Sequence, residues 1–248
     1  MINEKQINAI IQARCGSTRF PRKVFADING HPLIWHVINR LKVTETINKI
    51  IVATTVNSLD DEIEKWCIEN NIYCFRGSET DVLNRYYEAS KSFPSDIIVR
   101  ITADDPFKEP AIIDEVVEKL INGKYDLVTN NFPPTFPEGL DCEAFWFKVL
   151  EKVEMEATSS FDREHVTQYI YHHAGIFRIG NVVSECNLSK LRWTIDNPED
   201  YEMVKQIYAN RKKDSNSILL MDEILKILEE NPEIAESNSG VKRSAMYQ

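Results

Sequence analysis

The sequence predicts an α/β fold in which helices cover both faces of a mixed, mostly parallel sheet. Three observations carry this. Over the first half, short β-branched runs alternate with helical periodicity, the pattern of strands joined by crossover helices. The runs 7–13 and 49–55 are almost continuously apolar, as expected of strands buried on both faces. A hydrophobic content of 43% suits a packed core, and no window approaches the roughly 18–20 continuous apolar residues of a membrane span.

Residues 7–13 form the first expected strand. In 34–41, Ile34, Trp35, Val37, Ile38 and Leu41 recur at helical spacing, and 49–55 is the second strand. Ser58 is expected to cap a helix with Asp60, Asp61 and Glu62 in its first turn and Leu59, Ile63, Trp66 and Cys67 facing inward. A short strand at 72–75, a helix at 81–90 and a β-branched strand at 96–102 follow. Pro110 is placed at the first position of a helix ending at Gly123, and 125–129 is a strand. The proline-rich stretch 131–139 is a loop or crossover. Beyond it, strands are expected at 140–145, 175–180 and 191–195, and helices at 145–155, 160–172, 198–210 and 218–229. The second half thus mixes antiparallel strands with helices and should complete the first sheet. Residues 1–235 are read as one domain, with 131–180 a dimerisation or acceptor subregion of a homodimer. The chain after Pro232 is expected to fray, leaving 236–248 a polar tail.

Basic residues number 29 against 39 acidic ones, a net charge of −10. That balance argues against nucleic acid as a partner, which needs a basic face. Residues 1–6 are polar and do not read as a secretory signal, so a cytoplasmic protein is expected. Five cysteines, an odd number without a CxxC pair, read as reduced, mostly buried thiols and not as a disulfide framework. The positive charge is concentrated: Arg14, Arg19, Arg22 and Lys23 fall between residues 12 and 23, where there is no acid. A compact positive segment in an acidic protein asks for a small anion.

Three constellations carry chemistry. The first is the loop from Ala13 to Lys23, ARCGSTRFPRK. Gly16 and Ser17 allow a tight turn after a strand, whose successive N–H groups can form an anion nest. Arg14, Arg19 and Lys23 can neutralise a triphosphate, the arginines through bidentate forks. The loop matches neither a Walker A motif nor a dinucleotide fingerprint, and its alternative reading is a solvated basic loop. The second is ITADDP, in which Asp104 at a strand end is either a hard ligand for Mg2+ or ordinary turn chemistry. The third is WTIDNPED: Asn197 caps a helix with Pro198 at its first position, and Asp196 can reach the same edge as a second metal ligand. Of the histidines, His165 is a candidate for the acceptor site, and His172–His173 read as a solvated or capping pair. Trp35, Trp66 and Trp146 read as core.

Together these motifs resemble the cytidylyltransferase family that activates sugars for cell-surface glycans. That family includes the CMP-KDO synthetases, the acylneuraminate cytidylyltransferases and the SpsF-like spore coat polysaccharide biosynthesis proteins. The resemblance rests on IIQARCGSTRFPRKVF, ITADDP, FDREHVTQYI and LRWTIDNPEDY and spans about residues 6–210. It implies a Rossmann-like three-layer nucleotidyltransferase fold. It also implies CTP and a small sugar as substrates, either a sugar acid or a sugar phosphate, with Mg2+ as cofactor. On its pattern, Arg14, Ser17, Arg19 and Lys23 fall on the triphosphate loop, and Asp104 and Asp196 on the metal-binding aspartates. Gly77, Ser78 and Asp81 fall where relatives hold cytosine and ribose. Glu143, Arg163 and His165 stand at positions facing the acceptor. A carboxylate-bearing acceptor would want one arginine, and Arg163, Arg178 or Arg192 are the candidates. A glycosyltransferase using a nucleotide-sugar, or a nucleotide-binding protein without turnover, are the alternative readings.

Overall fold

The computed structural model describes residues 5–211 and 218–241; the expectations for residues 1–4 and for the tail beyond 241 lie outside these. In chain order the strands are β1 (Ile7–Gln12), β2 (Asp27–Ile28), β3 (His31–Pro32), β4 (Lys49–Thr55), β5 (Tyr73–Gly77), β6 (Ile97–Thr102), β7 (Leu127–Thr129), β8 (Glu143–Trp146) and β9 (Ile179–Asn181). The helices are α1 (Leu33–Leu41), α2 (Asp61–Glu69), α3 (Val82–Ser92), α4 (Pro110–Asn122), α5 (Phe147–Glu156), α6 (Ser160–His165), α7 (Gln168–His172), α8 (Pro198–Ala209), α9 (Met221–Glu230) and α10 (Pro232–Glu236).

The main sheet runs β5-β4-β1-β6-β8-β7-β9. Only β8 is antiparallel to its neighbours β6 and β7. Strand alternation divides the core between the two faces. Ile7, Ala9 and Ile11 of β1 and Ile97, Val99 and Ile101 of β6 point to the face covered by α1, α2, α4, α8 and α9. Ile10, Ala53, Ile98 and Phe145 point to the face covered by α3, α5 and α7. The continuous apolar runs therefore follow from burial on both sides, as the mixed, mostly parallel sheet requires.

From β1 the chain builds outward to β4 and β5, then crosses back to place β6 on the other side of β1. This makes a switch point between β1 and β6, and in open α/β sheets the crevice beyond the carboxyl ends at such a point receives ligands. The loop after β1 and Asp104 after β6 both leave from there.

Several local expectations are revised. Asn57, not Ser58, caps the chain before α2: its side chain accepts from Leu59 N, and Ser58–Asp60 is a 3-10 turn. That turn rotates Leu59 out, 63% exposed, and carries Asp60 in. The expected helix 160–172 is two helices, broken at Val166, which is buried at a φ of 61°. A β-branched residue in this region is strained, and the break brings the hydroxyls of Thr167 and Tyr171 onto one carboxylate, Glu143. The expected strand 191–195 is an extended segment with a single bridge, Glu138 to Arg192. The chain after Pro232 is packed where it is described: α10 buries Ile234, and Asn238 is 3% exposed. All five cysteines are free thiols, and Cys186 is exposed where burial was expected. No helix among the described residues is long and apolar enough to cross a membrane.

His36 gives the fold a measurable pH signature. It is buried on α1, with Nε2 donating to the Ile28 carbonyl at 2.8 Å and Nδ1 accepting from the Tyr208 hydroxyl at 3.0 Å. Burial lowers its pKa to about 4; the Ile28 hydrogen bond opposes this and Arg40 adds to it. The unfolded chain, with His36 near its ordinary value, binds a proton that the folded one refuses, so stability falls as pH drops from about 6.5 to about 4. The contribution is about 3 kcal/mol. Urea unfolding of wild type and His36→Gln across this range should show a steeper loss for wild type. Parallel curves would remove His36 from the account.

Candidate active site

The loop after β1 is held from below. Cys15 O accepts from Ser17 N at 2.9 Å and from Arg22 N at 3.0 Å, folding the loop back on itself. Asp60, buried beneath it, accepts from Cys15 N at 2.7 Å and from the Thr55 hydroxyl. Burial, with the Asp60 and Glu62 charges, pushes the Cys15 thiol up to about 12, so it stays protonated and is no nucleophile.

A cavity of about 620 Å³ opens at the switch point. Of the predicted triphosphate-loop residues, Ala13, Arg14, Gly16, Ser17, Arg19 and Lys23 all line it. Arg22 does not; it pairs with Glu62 at 2.5 Å. Asp104 and Asp196, distant in sequence, meet on the opposite wall because Ile195 N donates to Asp104 O at 2.9 Å. Lys23 lies between them: its Nζ donates to Asp104 Oδ2 and Asp196 Oδ1, both at 2.8 Å, and to Ile195 O at 2.9 Å. Arg19 reaches Asp196 at 3.1 Å. Burial alone would raise Asp104, but the Lys23 charge and hydrogen bonds from Lys23 and Thr102 hold it down at about 2. The same two carboxylates raise Lys23 against its burial.

Asp196 is itself tethered. Arg192 Nη2 donates to Asp196 Oδ2 at 3.1 Å, while its Nε and Nη2 reach the two oxygens of Asp200 at 2.9 and 3.0 Å. Asp200 is fully buried, accepts also from Asp196 N, and is bonded by Asn238. Gly139, at a φ of 105°, closes the same wall; a Cβ there would stand 2.8 Å from the Thr194 nitrogen.

The remaining predicted residues divide. His165 lines the cavity, and burial, helped by Arg100, lowers its pKa against the pull of Glu164 and Asp162. Glu143 lines a second cavity of about 410 Å³, which shares Arg100, Thr102, Asp105 and Asp141 with the first. Gly77, Ser78 and Asp81 line neither cavity; Glu79 and Thr80 of the same loop do. Ser78 Oγ accepts from Asp81 N, and Asp81 caps α3 by accepting from Asn84 N. Arg163 also lines neither; it ties Asp81, at 2.7 Å, to Glu154, at 2.9 Å. Arg178 is likewise off both cavities, paired with Asp126, and Arg192 belongs to the buried network. Two arginines of the site were not singled out from the sequence, Arg85 of α3 and Arg100 of β6. The signal for Arg100 was a charged residue inside the β-branched run IIVRIT, which burial forbids without a partner.

Among the described residues no three His, Cys, Asp or Glu side chains gather as a metal site. The pair Asp104 and Asp196 nevertheless suits Mg2+, which takes one or two carboxylates and fills its other positions with water and phosphate oxygens. The Lys23 ammonium bridging them shows that the point between the two carboxylates accepts positive charge.

Comparison with known proteins shows the family of the chain. A family model described as Cytidylyltransferase matches residues 8–241. An uncharacterized protein of Methanocaldococcus jannaschii is 35% identical over 243 residues, 97% of each chain. The spore coat polysaccharide biosynthesis protein SpsF of Bacillus subtilis is 29% identical over 235 residues, 91% of this chain and 95% of that one. The solved structure of a cytidylyltransferase from Leptospira borgpetersenii superposes with a TM-score of 0.87 at 30% identity, covering 97% of this chain and 99% of that one. With a family model over most of its length and a relative 35% identical over 97% of both chains, this chain belongs to the cytidylyltransferase family.

Proposed function

We propose that this protein transfers the cytidylyl group of CTP to an oxygen of a small sugar, with release of pyrophosphate and dependence on Mg2+. The observation that carries the reading is the meeting of Lys23, Arg14 and Arg19 with Asp104 and Asp196 in one cavity. Family membership supports CTP as the nucleotide.

The acceptor oxygen attacks the α-phosphorus in line and pyrophosphate leaves, so no enzyme nucleophile is required. Arg14 and Arg19 bind the β- and γ-phosphates, and Lys23 exchanges its two aspartates for phosphate oxygens and neutralises charge on the leaving group. Asp104 and Asp196 are the residues that would hold Mg2+, which when bound supplies Lewis-acid stabilisation of the phosphate oxygens. The Arg192–Asp200 network keeps Asp196 aimed at the cavity. The second cavity receives the acceptor. A phosphate there would call for a cluster of cations, whereas Arg100 is the single arginine or lysine in its lining and is engaged by Glu143 at 2.8 Å. This supports a sugar that offers a hydroxyl over one that offers a phosphate.

Thermal-shift screening with each nucleoside triphosphate, with and without Mg2+, is the test, followed by pyrophosphate release across candidate acceptors. CTP with Mg2+ at about a hundred times its dissociation constant should stabilise by about 3 kcal/mol, a rise of several degrees in Tm. Equal shifts from all four nucleotides, or none from CTP, would overturn the assignment.

A further inference from the structure

One cation of the first cavity has no counter-charge in contact with it. Arg85 of α3 lines that cavity, yet the residue is only 3% exposed. Its Nη1 donates to the Ser78 carbonyl at 2.6 Å, and its Nε, wholly buried, has no hydrogen-bond partner. Among the described residues no carboxylate forms an ion pair with it, and Nη2 makes no bond. Burial lowers its pKa, but a guanidinium stays charged at neutral pH. A buried cation so placed destabilises the fold, and a ligand that supplies acceptors recovers that loss.

Arg85 packs on Gly77, the last residue of β5, where a Cβ would stand 3.0 Å from its Cγ. β5 lies beyond β4 on one side of β1, and Asp104 follows β6 on the other. The cavity thus runs from Glu79, Thr80 and Arg85 at one end, past the basic loop, to Asp104 and Asp196 at the other. The second cavity meets it at the β6 end, where Thr102 and Asp105 line both. A nucleotide with its phosphates on the loop and its α-phosphorus toward the second cavity leaves its base at the β5 end. Glu79 lines the same end. Its Oε2 accepts from Asn57 Nδ2 at 3.0 Å, which fixes the carboxylate, and its Oε1 makes no bond among the described residues.

Resting on the reading of the first cavity as the CTP site, we propose that Arg85 and Glu79 read the base and select cytosine over uracil. Cytosine offers acceptors at N3 and O2, which take the free N–H groups of Arg85. Beside them its N4 amino group is a donor, which the Glu79 carboxylate accepts. Uracil carries an N–H at N3 and an oxygen at position 4, so donor would face donor and acceptor would face acceptor. The base rejected is the one that leaves both side chains without a partner.

Isothermal titration calorimetry of the full chain with Mg2+ and either CTP, UTP or inorganic tripolyphosphate tests this. Wild type should bind CTP about a hundredfold more tightly than UTP. Arg85→Gln should weaken CTP about thirtyfold and bring the two nucleotides within about fivefold. Its affinity for tripolyphosphate, which has no base, should stay within about twofold. Glu79→Gln, whose amide also donates, should raise UTP affinity and narrow the gap to under about tenfold. An Arg85→Gln protein that keeps the wild-type preference overturns the proposal. So does one that loses tripolyphosphate as it loses CTP, which would assign Arg85 to the phosphates. If Arg85→Gln does not fold, Glu79→Gln decides alone, and an unchanged preference overturns the proposal. Wild type that binds CTP no better than UTP fails the cytidylyl reading, and this inference falls with it; a CTP preference that both variants keep fails the inference alone.

Discussion

Asp104→Ala is expected to lower turnover about a thousandfold while CTP binding changes less than tenfold. Asp104 is one of two carboxylates that meet at the switch point, and it holds Lys23 at 2.8 Å. Without it Lys23 keeps only Asp196 and the Ile195 carbonyl, and one carboxylate is left to organise the charge proposed to face the α-phosphate. The basic loop proposed to grip the triphosphate is untouched: Arg14 and Arg19 stand on their own segment, and the loop's anchor is Asp60. The loss therefore belongs to kcat and not to KM for CTP. Steady-state pyrophosphate release gives both constants, and a variant within tenfold of the wild-type kcat would remove Asp104 from the catalytic machinery.

Asp200→Ala should be the most destabilising single change near the site, costing about 3–5 kcal/mol. Asp200 is fully buried and accepts from Arg192, from Asp196 N and from Asn238. Its removal leaves the Arg192 guanidinium, 6% exposed in its side chain, with Glu138 and Asp196 as its ion-pair partners. For a chain of this size the expected fall in Tm is roughly 10 °C. Activity is expected to fall with it, because Asp196 loses the bond that fixes its backbone, and Arg192, which aims its carboxylate, loses its own two bonds to Asp200. Urea unfolding monitored by circular dichroism is the measurement; a change below about 1 kcal/mol would show that the network adds little to stability. Asp200→Asn keeps the volume and should cost less than the alanine, while still releasing Arg192.

The alternation of strand and helix was legible because both periods are local. A run such as residues 49–55 can only be a strand buried on two faces, and β4 occupies that span. The basic loop and Asp104 were legible for the same reason: each directly follows such a strand, and strand ends in a parallel sheet share one edge. The breaks were less visible. Nothing local announces the positive φ of Val166; what the break accomplishes is to bring Thr167 and Tyr171 onto Glu143, which lies on a different element. A cap at Ser58 would turn Leu59 inward; the cap is Asn57, and a displacement of one residue turns the first helical positions through a large angle.

Spacings of a few residues were enough for the α/β class, for the carboxyl edge as the place of the candidate site and for the loop that carries its positive charge. Which charges meet depends on the packing of the whole chain. It brought Asp196 to Asp104 around Lys23, spent Arg163 on Asp81 and Glu154, and put Arg100 and Glu143 into one cavity wall. The physical reason is that a charge in a packed protein takes its role from its partner. Partners far apart in the chain become neighbours only through the order of strands and the direction of β8, which no local pattern encodes.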